Sequence, residues 1–287
     1  MHKTSTLVID AQPQLASETC ASETCASASP VPPRSFHRRP DYSAAVPEPI
    51  VRDAVLPGVD GDLRGTLFTP ASGRRSPGVV VLPEVDGFSD DTVVSARRVA
   101  DAGYHVLALD LYAPLGGTPP LRSSADTLAW SAQLDDHRQL SDLSLALEWF
   151  ADVDGVAASP MGLLGFSLGG RYSLLLATEP RPIGAVVTFY SRPWPSTALG
   201  GVVLVPGDRV EQVRAPICAI FGDEDGIIPA KMVEEYRVRL LATQGNELHV
   251  VPGDHLFTNP SRRRRFRPES ADRAWATALS FLDRHLH

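Results

Sequence analysis

Three features of this sequence predict an α/β fold, a doubly wound and mostly parallel sheet with helices on both faces. Short all-apolar runs recur, such as 78–82 and 217–221, as expected for strands covered by helices on both sides. Between them lie segments with helical periodicity, and strands that alternate with helices imply right-handed crossovers. The third feature is a Gly-x-Ser-x-Gly turn at 165–169, where an apolar run passes into a helical segment. That is the strand-turn-helix context in which a serine is exposed above a sheet edge.

The elements follow in order. Residues 50–56 and 63–68, separated by Pro57-Gly58-Val59-Asp60-Gly61-Asp62, read as a strand pair around a turn. The run 78–83 is a buried strand. Residues 90–102 read as helix, with Asp91 near the start and Gly103 just past the end. Strand 104–111, a mostly helical stretch 124–150, strand 161–165 and helix 171–178 follow. The remaining expectations are strands 183–190 and 215–221, helix 230–241, strand 248–251 and helix 270–286.

Residues 1–46 differ from the rest. Ala16-Ser17-Glu18-Thr19-Cys20 repeats at once as Ala21-Ser22-Glu23-Thr24-Cys25, and the polar run continues into Arg38-Arg39-Pro40. Such a composition buries too little apolar surface to offset chain entropy, so a disordered tail is expected before a folded domain at 47–287. The apolar stretch Thr6-Leu7-Val8-Ile9 is cut off by Asp10, too short for a secretory signal. No later apolar run is long enough to span a membrane.

Charge narrows the function classes. With 27 Lys+Arg against 34 Asp+Glu, the chain has no protein-wide positive field to hold phosphates, and nucleic acid is not an expected partner. Cys20 and Cys25 fall in the tail and Cys218 in an apolar run, so no disulfide framework is written here. The cysteines fit a reducing compartment, and a cytoplasmic location is expected.

A serine nucleophile needs a base, and the base needs an orienting acid. After the strand ending at Phe221 come three consecutive acids, Asp223, Glu224 and Asp225. After the strand ending at Val251 comes Pro252-Gly253-Asp254-His255. Of eight histidines, only His255 follows a strand beyond the acids; the others lie near termini, inside strands or in a helix. The order Ser, acid, His is that of the α/β-hydrolase arrangement.

These residues resemble the dienelactone hydrolase family of α/β-hydrolases over nearly all of 47–287. Pro83-Glu84-Val85-Asp86-Gly87 is similar to the family's glutamate-bearing loop, Asp110-Leu111-Tyr112 to its strand-end tripeptide, and 165–170 to its elbow. Asp225-Gly226-Ile227-Ile228-Pro229 resembles its acid motif, which implies Asp225 rather than Asp223 or Glu224. Gly253-Asp254-His255-Leu256-Phe257 resembles its histidine motif with one residue inserted between Gly and His. Two departures stand out. The family's nucleophile is usually cysteine where this chain has Ser167. A family arginine that holds the substrate carboxylate is here Asn259, with Arg122 and the run 262–265 as candidate replacements.

The resemblance implies a small-molecule ester or lactone as substrate, with Ser167 as nucleophile, His255 as base and Asp225 as its orienting acid. Backbone N–H groups of Val85 and Leu168 are the expected oxyanion hole. Glu84 is a possible auxiliary, either steering His255 or a water, or acting as a structural acid. Acyl transfer of this kind needs no metal or organic cofactor. The same triad supports peptide or thioester cleavage, and a non-catalytic binding protein on the same scaffold is the alternative from another class. Oligomeric state is not legible. If residues 1–46 contribute nothing to the core, deleting them leaves kcat, KM and melting temperature nearly unchanged; a melting temperature several degrees lower would show that the tail packs on the domain.

Overall fold

The computed structural model describes residues 47–118, 123–195 and 204–287. The expected tail at 1–46, with Cys20 and Cys25, and Arg122 lie outside the described residues. Eight strands form one sheet, β1 (Ile50–Gly58), β2 (Gly61–Thr69), β3 (Ser76–Leu82), β4 (His105–Leu109), β5 (Val156–Phe166), β6 (Ile183–Phe189), β7 (Ile217–Gly222) and β8 (Glu247–Val251). Their order is β1-β2-β4-β3-β5-β6-β7-β8. From β4 across to β8 every neighbour is parallel, whereas β2 runs antiparallel to both β1 and β4. The sheet is therefore mostly parallel and doubly wound, as the alternation of elements predicts.

The strand positions follow from side-chain chemistry. Val79, Val80, Val81 and Leu82 of β3 are at most 1% exposed, because both faces of this central strand are covered. The β1–β2 connection is tighter than its sequence suggests. Pairing continues through Pro57↔Asp62 and Gly58↔Gly61, so the six-residue turn shrinks to Val59 and Asp60. Pro57 is tolerated because β1 is an edge strand. Strand β5 is longer than expected, beginning at Val156 and carrying a register irregularity between Met161 and Gly162.

Helices α1 (Asp90–Asp101), α2 (Ser124–Ser131), α3 (Asp136–Ala151), α4 (Leu168–Leu176), α5 (Ala230–Leu240) and α6 (Pro268–Leu286) complete the fold. The stretch expected as mostly helical is two helices. Asp135 caps the second of them, its side chain accepting from the N–H of Arg138 at 2.8 Å, and this N-cap starts a fresh helix after the break. Helices α1 and α6 meet through Arg98, which bonds Asp272 at 3.0 Å and lies over the Trp275 ring. Among the described residues, no helix is long and apolar enough to cross a membrane.

Helices α3 and α4 are joined by a buried ion pair that the sequence reading does not anticipate. Arg171 donates to both carboxylate oxygens of Asp136, at 2.7 and 2.6 Å. The Tyr172 hydroxyl and the Leu204 N–H also donate to that carboxylate, and Arg171 donates to the Leu204 carbonyl. Both charged side chains are at most 5% exposed. Removing one partner of such a pair strands a buried charge, which costs about 3–5 kcal/mol. Asp136→Ala is therefore expected to lower unfolding free energy by about that amount in urea denaturation, and a loss below about 1 kcal/mol would contradict this account.

Candidate active site

The parallel strands deliver four loops to one end of the sheet. Glu84 and Val85 follow β3, Ser167 follows β5, the three acids follow β7, and His255 follows β8. Ser167 sits between β5 and α4 with φ 48° and ψ −109°, a conformation that costs a non-glycine residue about 1–3 kcal/mol. Its N–H donates to Phe189 O at 3.0 Å, and its carbonyl accepts from Ser191 Oγ at 3.0 Å. Its backbone is thus fixed on both sides.

The glycines beside it are required by distance. A Cβ on Gly165 would stand 2.4 Å from the Gly169 backbone, and one on Gly169 would stand 2.3 Å from Leu82 O. With no side chain in the way, Gly169 N–H donates to Pro83 O at 2.9 Å, tying the elbow to the loop that carries Glu84 and Val85. Helix α4 begins at Leu168, three residues before the expected start. Its N–H is among the first of the helix, for which the helix supplies no partner.

Ser167 Oγ lies 3.1 Å from His255 Nε2, and His255 Nδ1 lies 2.7 Å from Asp225 Oδ2. The structure thus brings the three predicted residues into one hydrogen-bonded chain. His255 and Asp225 are buried. The other Asp225 oxygen accepts from the N–H groups of Ile227 and Ile228, at 2.7 and 2.9 Å. A carboxylate held in this way accepts a hydrogen bond from Nδ1–H, which favours the tautomer whose Nε2 lone pair faces the serine hydroxyl.

The three consecutive acids separate by role. Asp225 faces His255, while Asp223 Oδ1 accepts from Gly253 N–H at 2.9 Å and braces the histidine loop. Glu224 is exposed. The extra residue of that loop, Asp254, accepts from the N–H of His255 at 2.6 Å. Leu256, next along, has φ 68°.

Glu84 is held by Asn259, which the resemblance singles out, and by Tyr190, which the sequence does not. Tyr190, at the end of β6 with φ 38°, donates its hydroxyl to Glu84 Oε1 at 2.8 Å and lies 2.7 Å from Thr258 Oγ1. Asn259 Nδ2 donates to Glu84 Oε2 at 3.3 Å. The Tyr190 ring also packs against the His255 ring at 5.0 Å. Tyr112, by contrast, lies in the strand-end tripeptide already noted, and its hydroxyl holds Val85 O at 2.8 Å. Two arginines of the run are engaged as well, Arg262 with Asp86 and Arg265 with Asp254. A cavity of about 170 Å³ is lined by Glu84, Tyr190, Thr258 and Asn259, among others, but by neither Ser167 nor His255.

Residues 63–286 match the model of the dienelactone hydrolase family. The chain belongs to the dienelactone hydrolase family. It is 32% identical over 242 residues to a Bradyrhizobium sp. protein named "Probable 2-oxo-3-(5-oxofuran-2-ylidene)propanoate lactonase", a match covering 83% of this chain and 96% of that one. Solved structures similar in fold include a dienelactone hydrolase from Anabaena variabilis, with TM-score 0.61 and 19% identity, covering 84% of this chain and all of that one. A dienelactone hydrolase-like promiscuous phosphotriesterase from metagenomic libraries aligns with TM-score 0.67 and 21% identity, covering 83% and 99% of the two chains. This member of the dienelactone hydrolase family is accordingly a hydrolase with the α/β-hydrolase fold.

Burial raises the pKa of Glu84, against the opposing pull of Tyr190, His255, Asn259 and Arg262. A carboxylate whose folded-state pKa is raised binds its proton more tightly when folded, so stability falls as pH rises from its unfolded value through its folded one. Glu84→Gln removes that charge and keeps an acceptor for Tyr190. The variant is expected to melt higher than the parent at pH 8, with the difference shrinking as pH falls; a lower melting point at pH 8 would mean that the carboxylate's partners outweigh its burial.

Proposed function

We propose that this hydrolase cleaves an ester or lactone of a small molecule through a Ser167–His255–Asp225 triad and an acyl-enzyme. The observation that carries the reading is the unbroken chain from Ser167 Oγ through both His255 nitrogens to Asp225, at 3.1 and 2.7 Å. Ser167 Oγ attacks the carbonyl carbon as His255 Nε2 takes its proton, and Asp225 stabilises the imidazolium. The tetrahedral intermediate collapses, the C–O bond to the leaving group breaks, and His255 returns the proton to the departing oxygen. Water then attacks the acyl-enzyme with His255 again as base, releasing the acid and Ser167.

Support for the oxyanion hole comes from the backbone. The bond from Gly169 N–H to Pro83 O draws the elbow, which carries Leu168, against the β3 loop, which carries Val85. Both residues are main-chain donors, which makes their side chains replaceable. Glu84 is a positioning residue in this reading. Its carboxylate accepts from Tyr190 and Asn259, and those bonds join the β3 loop to β6 and to the histidine loop.

The test is kinetic. Ser167→Ala is expected to lower kcat by more than about a thousandfold on a p-nitrophenyl ester, with the circular dichroism spectrum unchanged. Asp225→Asn should cost at least about a hundredfold and Asp223→Asn less than about tenfold. A tenth of parental activity in Ser167→Ala, or the reverse ranking of the two aspartates, would sink the assignment.

A further inference from the structure

Among the described residues, three side chains able to bind a metal ion converge at one place, on β7 and β8. Cys218, the second residue of β7, is paired in register with Glu247, the first residue of β8. Paired residues on adjacent strands point to the same face, and His249, two residues further, returns to that face. The Cys218 Sγ, a Glu247 carboxylate oxygen and a His249 ring nitrogen all lie within 4.8 Å of one another. The cluster stands at the opposite ends of these strands from Asp225 and His255.

We propose that Cys218, Glu247 and His249 form a structural site for a divalent transition ion such as zinc. Thiolate, imidazole and carboxylate together form a zinc donor set, and a water would complete four-coordination. In such a site the sulfur and nitrogen donors stand about 3.5 Å apart, so the present spacing closes with small rotations of Glu247 and His249. Both side chains are partly exposed, 32% for Glu247 and 39% for His249. Cys218 is fully buried and fixes the inner corner.

The rest of the cluster already has the form of a metal site's outer support. Glu247 Oε2 lies 2.9 Å from His249 Nε2, closer than the roughly 3.3 Å between neighbouring donors of a tetrahedral site, so the two side chains part slightly to admit the ion. The other Glu247 oxygen accepts from Arg284 of α6 at 2.5 Å, which orients the carboxylate from outside as second partners of ligating groups do. Cys218 would bind as the thiolate, so the ion displaces the thiol proton on binding. The consequence is structural: an ion here joins edge strand β8 to β7 and, through Arg284, to α6.

The full-length protein, stripped with EDTA and exchanged into metal-free buffer, is titrated with Co²⁺ and followed by visible and near-ultraviolet absorption. A cobalt–thiolate charge-transfer band with tetrahedral d–d transitions is expected, together with displacement by Zn²⁺ and a higher melting temperature. Cys218→Ser should abolish the charge-transfer band, and His249→Ala should weaken Co²⁺ binding at least about tenfold. Esterase activity should be unchanged in both. Absence of the band at saturating Co²⁺, or a band that persists in Cys218→Ser and so belongs to Cys20 or Cys25, would overturn the proposal. If Cys218→Ser does not fold, His249→Ala decides, because its position is partly exposed; unchanged affinity in that variant overturns the proposal equally.

Discussion

The close approach of the elbow backbone to the end of β3 is the constraint on which the site depends. Gly169 N–H reaches Pro83 O at 2.9 Å only because no Cβ stands between them. That contact places Ser167 at a strained φ of 48° and sets the first turn of α4 against the loop of Glu84 and Val85. Strain of about 1–3 kcal/mol persists only where the surroundings over-determine it. Here they do, because β5 and α4 are held by an almost wholly buried core and by the Arg171–Asp136 pair one turn beyond the serine.

The remaining loops are fixed to one another rather than only to the sheet. Asp223 accepts from Gly253 N–H, Glu224 N–H donates to Gly253 O, and Asp254 accepts from His255 N–H. The acid loop and the histidine loop are therefore one hydrogen-bonded unit. Tyr190 adds the third connection, since its hydroxyl can donate to Glu84 while accepting from Thr258. A buried hydroxyl with both functions satisfied rigidifies what it joins.

Much of this was legible in the sequence because it rests on local rules. The buried strands β3, β6 and β7 are written as apolar runs, and Ser167, Asp225 and His255 follow strand ends in the order that one sheet can bring together. What was not legible rests on long-range pairing. The break between α2 and α3 turns on the Asp135 cap, hidden among polar residues that also suit a helix. Pairing with β3 extends β5 back to Val156. Arg171 inside an otherwise apolar helix was a signal of a buried partner, but nothing local points to Asp136, 35 residues away. Tyr190 and Thr258 are 68 residues apart, and their meeting appears only once β6 and the histidine loop are adjacent.

The identity of the nucleophile bears on what Glu84 does. A thiol, with a pKa of about 8.5, is partly ionised near neutral pH and can attack as a thiolate formed beforehand. A serine hydroxyl is a far weaker acid, so its base must be hydrogen-bonded to it at the moment of attack. Under the proposed mechanism the 3.1 Å contact between Ser167 and His255 meets that need directly, and it leaves no proton for a second carboxylate to manage. Glu84 has its own bonds to Tyr190 and Asn259, and the resemblance has an arginine where Asn259 stands. A neutral amide at that position can hold Glu84 without bringing a charge that a substrate carboxylate could attract. Arg262 and Arg265 are engaged by Asp86 and Asp254, so under the proposed mechanism Asn259 takes the arginine's place as a partner of Glu84.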